Sequence, residues 1–136
     1  MSVKSQGSPS TTTNSQQQQL LFKLSGANLQ LTTDQPFTKV YSGTNYLITS
    51  IVARQRSGAA SVICAGGIYD TAAKGGNAIV AAAQSWVTLA SGVIVSGTLA
   101  ALVQTALLTN TPILSLTTGS TAACTADLFI FGVDIS

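Results

Sequence analysis

The stretch Ala126-Asp127-Leu128-Phe129-Ile130-Phe131-Gly132-Val133-Asp134-Ile135 sets the strongest condition on how this chain can fold. In an extended strand, successive side chains point to opposite faces. Leu128 and Ile130 therefore share one face, while Phe129, Phe131, Val133 and Ile135 share the other. A half-buried strand alternates apolar with polar residues, but this one is apolar on both sides, so each face needs a cover. One face is expected to pack into the chain's own core. The other is expected to meet a second subunit, because a broad exposed patch of Phe and Ile is a liability on a monomer. Closed symmetric oligomers are the usual way of covering such a patch. Phe129, Phe131 and Val133 are accordingly the expected oligomer interface. Burial on both sides within one chain is the alternative.

The rest of the sequence is cut into short pieces by Gly, Ser, Asn and Pro. Leu29 and Leu31 alternate with polar neighbours and read as a strand that ends at Asp34-Gln35-Pro36. The next segment places Tyr46, Ile48 and Val52 on one face and Leu47, Thr49 and Ile51 on the other, and stops at Ser57-Gly58. A third strand is interrupted at Gly66-Gly67, where a bulge or a close backbone approach is expected. Gly75-Gly76-Asn77 reads as a turn before a strand from Ala78, with a helical turn as the alternative reading. Ser91-Gly92 and Ser96-Gly97 flank a short strand at Val93-Ile94-Val95. Pro112 opens a strand with Ile113 and Ser115 on one face and Leu114 and Leu116 on the other. Seven or more short strands separated by turns predict an all-β, jelly-roll-like antiparallel β-sandwich.

Residues 1–24 stand apart from this pattern. Ser, Thr and Gln dominate up to residue 19, and such a segment has little to bury against its ordering entropy. Two parts are expected: an extended N-terminal arm over 1–24 and a sandwich over 25–136. Leu20, Leu21, Phe22 and Leu24 follow the Gln run and are the expected apolar anchors by which the arm grips a partner.

Composition narrows the chemistry sharply. The 136 residues contain no His, and the four acidic residues are all Asp (34, 70, 127 and 134). A Ser-His-Asp or Cys-His nucleophile is therefore excluded. No spacing among the four Asp brings a defined carboxylate pair together. Asp34 and Asp70 read as turn residues, and Asp127 and Asp134 as flanks of the last strand. Cys64 and Cys124 cannot form a structural zinc site alone, and both are expected to be free, buried thiols, with a disulfide joining two strands as the alternative. No metal, cofactor or enzymatic activity is expected. The six Lys and Arg are scattered, with Arg54 and Arg56 the only local pair. The basic stripe of a nucleic-acid binder is missing. No secretory signal opens the sequence, which points to synthesis in a cytoplasm. Two alternatives remain. Trp86 with Tyr41, Tyr46 and Tyr69 would suit a glycan-stacking platform. Residues 85–103 are long and apolar enough for a membrane span, although Ser-Gly turns and the lack of flanking cations oppose it.

Residues Gly66 to Ala83, Leu114 to Thr118 and Ala126 to Val133 together resemble small proteins encoded among the structural genes of tailed bacteriophages. The likeness covers about residues 28–136 and leaves 1–24 outside it. It implies a virion component without catalytic activity, made in the host cytoplasm and bound to the outer capsid surface as a decoration or head-fibre protein. A place on the neck, collar or tail, with a glycan-binding role, is the other role it allows. The implied partners are further copies of the chain, with a trimer favoured, and the major capsid protein. Neither nucleic acid nor a membrane is among them.

Overall fold

A computed structural model describes residues 18–59, 61–87, 89, 94–100 and 110–135. Among these, the strands are β1 (Gln19–Asn28), β2 (Gln35–Pro36), β3 (Thr38–Lys39), β4 (Tyr46–Gly58), β5 (Ala65–Thr71), β6 (Gly75–Val80), β7 (Ile94–Gly97), β8 (Ile113–Thr118) and β9 (Cys124–Asp134). They form a five-stranded sheet in the order β3-β1-β9-β4-β7 and a four-stranded sheet in the order β2-β8-β5-β6. Every pairing is antiparallel. The fold is a β-sandwich, as the turn-punctuated sequence predicts.

The core lies between the sheets. Leu21, Phe22, Tyr46, Ile48, Ile51, Leu128 and Ile130 from the larger sheet are buried with Ile68, Ile79, Val80, Leu114 and Leu116 from the smaller. Each such side chain gains about 1.5–3 kcal/mol on full burial. Trp86 is 1% exposed, and its indole N–H donates to the Gly66 carbonyl at 3.0 Å. Gly66 and Gly67 are required where they stand. A Cβ on Gly66 would lie 2.3 Å from the Leu116 Cα, and one on Gly67 would lie 2.4 Å from the Val80 carbonyl oxygen. The expected irregularity is present as a register shift between Ala65 and Gly66.

Several expectations need correction. The boundary at 24/25 falls inside β1, which is hydrogen-bonded between β3 and β9. Leu21 and Phe22, expected as arm anchors, are 0% and 1% exposed in the sandwich core. Leu24 packs against the same core, and Leu20 pairs with Phe131. Only residues 1–17 of the expected arm fall outside the described residues. The first strand also precedes Leu29 and Leu31, since residues 29–30 form a turn and Leu31 is 45% exposed.

In β4, a bulge between Ile48 and Ser50 shifts the phase. Ile51, not Val52, therefore joins Tyr46 and Ile48 in the core. The hairpin between β5 and β6 turns at residues 72–74 rather than 75–77, with Ala73 and Lys74 at φ 58° and 61°. Two carboxylates hold that conformation: Asp34 accepts the Ala73 N–H at 2.7 Å and Asp70 the Asn77 N–H at 2.8 Å. The short strand placed at 93–95 is β7; Val93 and the Ser91-Gly92 turn lie outside the described residues.

Candidate functional site

β9 runs through the middle of the larger sheet, paired with β1 on one side and β4 on the other. Leu128 and Ile130 are 1% and 0% exposed in the core, which leaves Phe129, Phe131 and Val133 on the outer face. These three are only half-buried. Cross-strand pairing sets their neighbours: Phe129 lies between Lys23 and Val52, Phe131 between Leu20 and Ser50, and Val133 beside Leu47. The structure thus brings Leu20, one of the four expected arm anchors, onto the same face as the three expected interface residues. It does not bring Leu21, Phe22 or Leu24 there.

The face changes character toward the start of β9. Asp127 pairs across the strands with Arg54, which in turn pairs with Ile94 on β7. The Asp127 carboxylate accepts the Gly26 N–H at 2.8 Å and lies 3.7 Å from Arg54 and 3.6 Å from Arg56. Its side chain is 9% exposed, whereas the two arginine side chains are 61% and 55% exposed. Gly26 holds φ 66°, and a Cβ there would come within 3.1 Å of the Arg56 guanidinium. Lys23 places its ammonium 5.6 Å from the centre of the Phe129 ring, within cation–π range. The outer face is therefore apolar at one end and cationic at the other.

This cluster was only half legible in the sequence. Arg54 and Arg56 stand out as the only local cation pair, but Asp127 reads as a strand flank. The missed signal is phase: Asp127, Phe129, Phe131 and Val133 alternate in one register, so a carboxylate belongs to the apolar outer face and needs a cation beside it. Asp134 likewise lies within β9 and is buried.

The remaining candidates are accounted for in the core. Trp86 and Tyr46 are each 1% exposed, Tyr69 is buried as well, and Tyr41 is half-buried against the core, so the four aromatic residues do not form an open stacking platform. Tyr46 stacks edge-on against Phe22 with ring centres 5.3 Å apart and donates its hydroxyl to the Gly43 carbonyl. Cys64 and Cys124 are free and buried. Burial, and after it the nearby Cys124 thiol, pushes Cys64 up to about 11. Burial also raises Cys124, against a contact with the Gln55 amide.

Among the described residues no His, Cys, Asp and Glu cluster is placed to hold a metal ion, and no helix is long and apolar enough to cross a membrane. Where 85–103 is described, it contains the buried Trp86 and Leu89 and strand β7. Comparison with known proteins finds no matching family model, curated protein or solved structure.

Proposed function

We propose that this chain is a structural protein that works by burying the outer face of its five-stranded sheet in an assembly. Following the resemblance, we assign it to a tailed-phage virion, as a decoration or head-fibre protein on the outer capsid surface. Phe129, Phe131 and Val133 carry the proposal: they are aligned on the outside of the most central strand and flanked by Leu20, Leu47 and Val52. A face of this kind gains most by packing against protein. A closed ring, with a trimer favoured, covers it in every copy.

The strand orders support a jelly-roll winding. With the two-residue β3 set aside, the first and last strands are adjacent in one sheet, and the second and second-to-last are adjacent in the other. That nesting suits the double Greek key used by capsid and lectin domains. Fold analogy alone does not fix function.

The test is sedimentation velocity over a wide concentration range, on the wild type and on Phe131→Asp. The expected result is a discrete oligomer for the wild type and a folded, monomeric Phe131→Asp. Co-sedimentation with tailed-phage heads then tests the virion assignment. A wild type that stays monomeric at all concentrations overturns the oligomer.

A further inference from the structure

We infer that the cationic end of this face, formed by Arg54, Arg56 and Lys23 beside Phe129, docks a carboxylate-bearing surface of a different protein. The inference deepens the proposed function and rests on the same outer face. It begins with an incomplete neutralisation. Asp127 is the acid nearest the arginines, yet its distances of 3.7 and 3.6 Å exceed the roughly 2.7–2.9 Å of a direct charge-assisted bond. Part of the reason is local: Asp127 Oδ1 already accepts the Gly26 N–H. A guanidinium carries five N–H donors in a planar fork suited to carboxylates. Two such forks, each more than half exposed, share one mostly buried carboxylate.

A second copy of the chain is a poor source of the missing acid. The sequence has four acidic residues in all. Asp127 is taken by the arginines, and Asp134 is buried. Asp34 and Asp70 hold backbone amides of the β5–β6 hairpin. A self-associating ring can cover the apolar end around Phe131 and Val133, but its one exposed Asp, Asp34, already accepts the Ala73 N–H and is a single carboxylate against two arginine forks. The complementary group is best supplied by another protein, one that sets acidic residues beside an apolar patch so that Val52 and Ile94 are covered as well, up to the edge where Phe129 enters the ring. Charge complementarity of this kind governs orientation and encounter rate. For a decoration protein, the surface decorated is the natural bearer of those acids.

The probe is a capped peptide of sequence Glu-Phe-Glu-Leu-Glu-Gly, titrated into the full chain while the arginine Nε–H and Phe129 resonances are followed by NMR. Its counterpart with Gln in place of Glu is the control. We expect the acidic peptide to shift Arg54, Arg56 and Phe129 together and the Gln peptide to leave them in place. Arg54→Gln, in which Arg56 still faces Asp127, should weaken binding about tenfold, the scale of one lost charged hydrogen bond. Arg56→Gln is the parallel variant if the first fails to fold. Equal binding of the two peptides, or an unchanged affinity in a folded variant, overturns the inference. So does an equal or larger response to inorganic phosphate or to phosphatidylglycerol vesicles, since either assigns the cations to a different anion. Sedimentation of the same samples separates this inference from the oligomer. A monomer that still binds the peptide rejects only the ring, and an intact ring that ignores the peptide rejects only the docking site.

Discussion

The outer surface of the four-stranded sheet carries Ile113, Ser115 and Thr117 on β8 and Tyr69 on β5, whereas that of the five-stranded sheet carries Leu20, Val52, Phe129, Phe131 and Val133. Tyr69 and Ser115 are buried although they face away from the core, so the chain covers much of the smaller sheet itself. Tyr69 also closes over Gly67, where a Cβ would meet its hydroxyl at 2.9 Å. Among the described residues the larger sheet has no comparable cover: Phe129, Phe131 and Val133 remain half-buried, and Ile94 is 64% exposed. One sheet is thus covered by the chain among the described residues, and the other is not. The difference is what the proposed function rests on, because the free energy still available from burial lies on the less covered face.

The largest effect tests the part common to both sheets. Trp86→Ala removes the side chain that fills the core and ties itself to the Gly66 carbonyl. It should cost about 3–5 kcal/mol in urea denaturation. A loss under 1 kcal/mol would mean that Trp86 is a surface group, and the glycan reading would return. The comparison is sharpened next by adjacent residues on β9. Leu128→Ala should cost about 2–5 kcal/mol at every protein concentration. Phe129→Ala should cost the monomer about 1 kcal/mol, in keeping with partial burial, and should lower the oligomer's concentration-dependent stability further. Equal, concentration-independent losses at the two sites would erase the distinction between a covered and a less covered face.

What the sequence revealed follows from the range of the interaction involved. The two-faced character of β9 was legible because alternation is local, and Gly66-Gly67 because a missing side chain marks close backbone contact. The phase of β4 was not, since one bulge between Ile48 and Ser50 inverts the side of Val52. Nor was β1, whose polar start continues a low-complexity run and gains its order from pairing with a strand about a hundred residues away. Its Leu21 and Phe22 look like anchors for a partner. Their partner is the chain's own core. The Asp127–Arg54–Arg56 cluster was hidden for the same reason, since Gly26, Arg54 and Asp127 meet only after β1, β9 and β4 align.

The smallest effect probes the seam where the two sheets meet. The Cys64 thiol approaches the Leu29 carbonyl at 3.8 Å, and the Leu29 N–H donates to the Cys124 carbonyl at 3.0 Å, so the cysteines flank one backbone position. Cys64 is raised from 9.0 to about 11, chiefly by burial, so the fold favours its protonated form. Below pH 9 the thiol is neutral in both folded and unfolded chains, and this preference contributes in full. Between about pH 9 and 11 the unfolded chain loses the proton while the native chain keeps it. The unfolded state then binds fewer protons, and stability falls as pH rises. At pH 10 the loss attributable to Cys64 should be about 1 kcal/mol. Burial raises Cys124 as well, so the measurement is the difference in pH slope between the wild type and Cys64→Ala. A shallower slope in the variant is the expected result. Identical slopes would place Cys64 in contact with solvent, and the seam between the sheets would be open where the rest of the core is closed.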